Sequence, residues 1–112
     1  SMQYTFGPPL VKRFGTVLMG QATPVRSWLD GGVTVGGGSD SPITPFPPVL
    51  GLWQARTRYV AGTEEPVGRA QAVTGEEALR MYTANAAYVS FSERERGVLR
   101  VGECRVRRLD PC

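Results

Sequence analysis

Residues 33–42 read Val-Thr-Val-Gly-Gly-Gly-Ser-Asp-Ser-Pro, a short β-type run that stops in glycines and delivers one carboxylate, Asp40, at its mouth. An aspartate just past the carboxyl end of a buried parallel strand is well placed for catalytic work. Gly36, Gly37 and Gly38 carry no side chain, which lets a substrate or metal approach the backbone closely. Pro42, Pro45, Pro47 and Pro48 then stiffen the exit loop and remove amide donors. The chain has no histidine at all, so the commonest metal ligand and near-neutral base is missing. One catalytic carboxylate is the chemistry that these residue types offer.

The elements that must position Asp40 follow from pattern and punctuation. Met2–Phe6 is a β-branched and aromatic run ended by Gly7-Pro8-Pro9, which predicts a buried strand meeting a loop. Residues 10–20 read equally as an irregular loop or a short helical turn. Thr23-Pro24 predicts a helix start, with Val25, Trp28 and Leu29 on one face until Gly31-Gly32. A strand over Val33–Val35 comes next. Val49, Leu50, Leu52, Trp53 and Arg56 recur at helical spacing through about Tyr59. Residues 61–72 read as a surface connection. Thr74-Gly75-Glu76-Glu77 is a capping box opening a helix from Glu76 to about Phe91, with Ala78, Leu79, Tyr82, Ala86 and Val89 as its apolar face. Short strands are predicted at Gly97–Leu99 and Val101–Leu109, around the Gly102 turn. Two strands separated by a helix imply a parallel βαβ unit, so the fold class reads as α/β.

Composition narrows the partners. A chain of 112 residues holds one modest core, well short of the roughly 250 that a closed eight-stranded barrel needs. The net charge of +3 is mild, and only Arg105, Arg107 and Arg108 cluster; a solvated edge accounts for them better than phosphate binding, so no nucleic-acid partner is expected. No apolar run approaches the ~20 residues of a membrane span, and no membrane partner is expected. Cys104 and Cys112 lack a CxxC spacing and read as reduced thiols, which gives cytoplasmic localisation as the expectation.

Four blocks in order carry a resemblance: RSWLDGGVTVGGGSDSP (26–42), PPVLGLWQARTR (47–58), TGEEALRMYTANAAYVSF (74–91) and GVLRVGE (97–103). Together they resemble the carboxyl-terminal portion of the metal-dependent amidohydrolase superfamily, in the branch containing N-substituted formamide deformylases. The resemblance implies a carboxyl-terminal fragment of a (β/α)8 barrel: the last two barrel strands and helices over residues 1–92, then a return toward a small β domain over 93–112 with an atypical end. It implies that Asp40 is the eighth-strand aspartate, a ligand to a divalent metal, zinc in the complete enzyme, and the group that shuttles a proton from the hydrolytic water. It also implies a small-molecule amide or formamide substrate whose C–N bond is hydrolysed, with Gly38 and Ser39 beside the substrate.

Two departures go with the resemblance. The superfamily's other metal ligands have no counterpart here, so no cofactor is expected in the isolated chain, which is expected to be inactive. After Gly102 the sequence turns to Cys-Arg-Val-Arg-Arg instead of an apolar strand. The competing reading is a standalone, non-catalytic α/β binding or interaction module. Plainer roles are open for several residues: Ser39 and Ser41 as loop serines, Trp28 and Trp53 as core, and Tyr82, Thr83 and Asn85 as packing and capping groups. Unpaired barrel strands would expose edges, from which homo-oligomer formation is expected.

Overall fold

A computed structural model describes residues 2–101, apart from the side chain of Met2. Among these residues, five α-helices run in the order α1 (Met2–Gly20), α2 (Val25–Asp30), α3 (Pro48–Thr57), α4 (Gly75–Tyr82) and α5 (Ala84–Val89), with a 3-10 turn at Arg69–Gln71 before α4. Among the described residues there is no strand. The expected α/β class, with two barrel strands and a β extension, is therefore overturned.

The reasons are local. Met2–Phe6 is the start of α1, although Pro8 and Pro9 lie inside that helix and each deletes an amide donor. A five-residue β-branched and aromatic run does not settle helix against strand by itself, and the helical choice packs Gly7 against Val60. α1 then breaks at Gly15, whose φ of +76° and ψ of 165° no helix tolerates. Val33–Val35 has no regular secondary structure and no neighbouring strand among the described residues. Its surroundings are helical instead: the amide of Val33 donates to the carbonyl of Trp28, and the Asn85 side chain donates to the carbonyl of Val35. Gly97–Leu99 is likewise not a strand, and Leu99 is fully exposed. The strand predicted over Val101–Leu109, with Cys104, Cys112 and the arginines at 105, 107 and 108, lies outside the described residues apart from Val101.

Without strands the expected route to association through sheet edges disappears among the described residues. Apolar side chains are exposed instead on α1 before its break, where Phe6, Leu10 and Phe14 recur every fourth residue.

Two small cores hold the described chain. Val25, Val73, Ala78 and Met81 form one, joined by Leu29, Val35, Leu52, Ala55 and Tyr82. Met19, Val60 and Val67 form the other, joined by Val11 and Ala22. α2 begins one residue later than Thr23-Pro24 implied and has no side-chain cap; its Val25 is buried, while Trp28 stays partly exposed. α3 lies at the predicted span but does not bury the predicted face: Gly51 and Gln54 are its buried residues, while Val49 and Trp53 are exposed. The predicted helix over 76–91 is two helices, because Thr83 (φ −126°, ψ −96°) leaves helical geometry between α4 and α5. Leu79 and Val89, expected on the apolar face, are about half exposed.

The capping box is present in full. The hydroxyl of Thr74 accepts the amide of Glu77 at 3.2 Å, and the Glu77 carboxylate accepts the amide of Thr74 at 2.8 Å. Both Glu77 oxygens also lie 2.8 Å from one guanidinium nitrogen of Arg26, which pairs with Asp30 as well, so the box ties α4 to α2. The Thr74 amide first, then Arg26 and the Thr74 hydroxyl, hold the Glu77 carboxyl well below its ordinary 4.5, at about 2. A carboxyl depressed in the folded state stabilises fully above its unfolded value and loses that stabilisation as pH falls through the folded one. The stability difference between wild type and Glu77→Gln is thus expected to be constant above about pH 5, at about 1 kcal/mol or less, and to vanish near pH 2. Paired thermal melts from pH 2 to 7 check this; a difference unchanged at pH 2 would contradict it.

Candidate functional site

Asp40 sits at the tip of a tight turn. Its backbone is left-handed (φ +55°), a conformation that aspartate tolerates better than most residues. Its carbonyl accepts the amides of Ile43 at 2.9 Å and Thr44 at 3.3 Å. Thr44 is almost fully buried (2% exposed) and its hydroxyl donates to the carbonyl of Ser39, closing the turn from inside. With the backbone so engaged, the Asp40 residue stays exposed, as does Ser41, which precedes Pro42 through a cis peptide bond. Ser39 is half-buried. A carboxylate in this setting is open to solvent and can offer its oxygens to a donor or a cation.

The glycines divide by task. A side chain at Gly36 would strike Val89, and one at Gly37 would strike the ring of Tyr82, whose atoms come within 2.6 Å of the position a Cβ would take. These two glycines let the chain lie flat on α4 and α5, so the expectation that they open the backbone to a ligand is corrected. Gly38 faces open space. Ser39, half-buried, separates it from Asp40.

Tyr82 fills the gap behind the turn. Its ring is wedged between Gly37 and Gly51 of α3, its hydroxyl donates to the carbonyl of Gly38 at 3.3 Å, and burial raises its pKa. Sequence periodicity marks Tyr82 only as a packing residue; that its hydroxyl reaches back to the segment before Asp40 leaves no trace in helical spacing. Trp53 is not core. It lies half-exposed, edge-on to Tyr4 and stacked on Tyr59 with ring centres 6.1 Å apart.

Arg58 is the other residue that spacing misses. It ends α3 in a left-handed conformation and is 2% exposed. Its guanidinium donates to the carbonyls of Gly20, Ala22, Thr23 and Val67, and desolvation lowers its pKa. Gln3 donates to the same Ala22 carbonyl and accepts from the buried Gln54, so a polar seam joins α1, α3 and the loop between α1 and α2. The cluster of arginine in "ARTR" offers no clue as to which one turns inward.

A sequence model of the amidohydrolase family matches residues 1–103 of the chain. The chain belongs to the amidohydrolase family. Among curated proteins, the N-substituted formamide deformylase of Arthrobacter pascens is 43% identical over 81 residues, which is 71% of this chain and 15% of that protein. YtcJ of Bacillus subtilis (strain 168), a candidate amidohydrolase by its name, is 28% identical over 97 residues, 85% of this chain and 18% of that protein. The chain thus spans less than a fifth of the length of these curated relatives. No solved structure matches it.

Amidohydrolases generally use metals, and the donor set here can be tested against one. Among the described residues no three His, Cys, Asp or Glu side chains come together, whereas a catalytic zinc usually takes about three protein ligands. The described residues by themselves do not fit a resident metal. No helix among them is long and apolar enough to cross a membrane.

Proposed function

We propose that this segment serves the hydrolysis of a C–N bond in a small amide or formamide, with Asp40 as the proton-handling carboxylate. The match to the N-substituted formamide deformylase carries the substrate class. The exposed carboxylate at the tip of a closed turn supports the role. Water adds to the carbonyl carbon and gives its proton to Asp40. The C–N bond then breaks, the amine departs with that proton, and a carboxylic acid remains. Gly38 and Ser39 border the substrate. Any metal centre in such an enzyme would draw its remaining donors from outside these residues, with Asp40 offering one oxygen.

A chimera tests this reading. The segment of the Arthrobacter deformylase that matches this chain is replaced by the chain's own residues, and formamide hydrolysis is measured. Retained hydrolysis is expected; a soluble, metal-loaded chimera with none would refute the proposal.

A second reading has its own observation. The chain lacks histidine and the described residues lack a ligand cluster, which suits a non-catalytic binding module. Both readings share one expectation for the isolated chain: one carboxylate leaves most zinc positions to water. Calorimetric titration of the Cys104→Ser, Cys112→Ser double variant is expected to show no stoichiometric zinc uptake. Tight one-to-one binding would mean that a site exists which Asp40 alone does not explain.

A further inference from the structure

We infer that Tyr82 and Asn85 are positioning residues that hold the Asp40-bearing segment against the break between α4 and α5. The inference rests on the reading of Asp40 as the reacting carboxylate. Three hydrogen bonds fasten the segment within four residues: Asn85 Nδ2 to the carbonyl of Val35 at 3.1 Å, the amide of Gly37 to the carbonyl of Met81 at 2.8 Å, and the Tyr82 hydroxyl to the carbonyl of Gly38 at 3.3 Å. Two of the three come from side chains that flank Thr83, where helical geometry is abandoned. The break makes the arrangement possible. It leaves the carbonyl of Met81, in the last turn of α4, free of an intrahelical partner, and the Gly37 amide takes it.

The glycines complete the grip. Gly37 and Gly51 bracket the Tyr82 ring so closely that neither position admits a Cβ without displacement. The ring therefore fixes the distance from α3 to the segment, while its hydroxyl fixes the height of Gly38, two residues before the carboxylate. Beyond Gly38 the turn is closed by its own bonds through Thr44 and the Asp40 carbonyl. A rigid turn on an anchored stalk keeps a carboxylate within the few tenths of an ångström that proton transfer needs.

Amide exchange and carboxylate 13C spectra of the 112-residue chain test the grip directly. Loss of one hydrogen bond corresponds to roughly 2–10-fold in a local opening equilibrium. Gly37 exchange is expected to rise by that much in Asn85→Ala and Tyr82→Phe, and by more than about 10-fold in Tyr82→Ala, which also removes the wedge. The Asp40 carboxylate resonance is expected to shift or split in Tyr82→Ala and to return toward wild type in Tyr82→Phe. The Ala78 amide, bonded to Thr74 within the capping box, reports that α4 is still folded. Unchanged Gly37 exchange and an unchanged Asp40 resonance in Tyr82→Ala and Asn85→Ala would overturn the inference.

The chimera supplies the catalytic arm. Tyr82→Ala is expected to lower kcat with little change in KM, and to cost nothing further in the Asp40→Asn background. An equal cost in both backgrounds would make Tyr82 merely structural and also overturn the inference. An Asp40→Asn chimera as active as its parent would instead remove the functional reading, while the exchange data would still decide whether the grip exists.

Discussion

Replacing Asp40 by asparagine in the active chimera is expected to lower kcat by about 10²–10⁴-fold, the range that a positioned general acid–base contributes. Asparagine keeps the size and the left-handed tolerance of aspartate, so the turn built on the Asp40 carbonyl, the Ile43 and Thr44 amides and the Thr44 hydroxyl stays closed. Only the capacity to take a proton, or to offer a charged oxygen, is lost. KM is therefore expected to move by no more than a few-fold, since uniform binding is untouched. Asp30→Asn is the matched control. It also removes an exposed carboxylate, but one already paired with Arg26 on α2 at 2.8 Å, and it is expected to leave turnover within about two-fold. Equal losses from the two substitutions would show that general charge, and not the Asp40 position, is what matters.

How much of this was legible before the fold was known depends on the range of the interaction. The capping box was, because Thr74 and Glu77 satisfy each other's amides within one turn and need nothing distant. So was the span of α3, but not its inward face, since Gly51 and Gln54 are buried there while Val49 and Trp53 are exposed. The strands were misread because β structure is a property of pairs: Met2–Phe6 and Val33–Val35 have the residue types of strands, but packing against neighbours decides their state. In this fold those neighbours are helices, which take the carbonyl of Val35 and the amide of Gly37. The loop leaving Asp40 was legible from the prolines that follow it. That Gly36 and Gly37 serve Val89 and Tyr82 instead of a ligand was not, since those neighbours lie 53 and 45 residues away in sequence. The family was legible from four ordered blocks, which needed no fold at all.

Arg58→Met is expected to be the most damaging single change to stability, at roughly 2–4 kcal/mol. The new side chain matches the buried stem in length and apolarity but takes the guanidinium from the carbonyls of Gly20 and Val67; the Ala22 carbonyl keeps Gln3 and the Thr23 carbonyl keeps the Val25 amide. Both residues face the same left-handed backbone cost at φ +59°, so that term cancels. Charge alone does not rescue the site. Arg58→Lys retains a cation, yet a single ammonium cannot span carbonyls that the planar fork reaches from three nitrogens, and lysine sheds its proton more readily when buried. An intermediate loss is expected for lysine, and a smaller one for Gln3→Ala, whose side chain is only partly buried. For a domain of this size the methionine variant should melt roughly 10 °C or more below wild type. Because the guanidinium stays protonated through the accessible range despite its lowered pKa, the gap should hold from pH 5 to 9, unlike that of Glu77→Gln. A fall of less than about 3 °C, or lysine matching arginine, would mean that the carbonyls of Gly20 and Val67 find water as easily as they find Arg58, and that the seam between α1 and α3 is held by Met19, Val60 and Val67 alone.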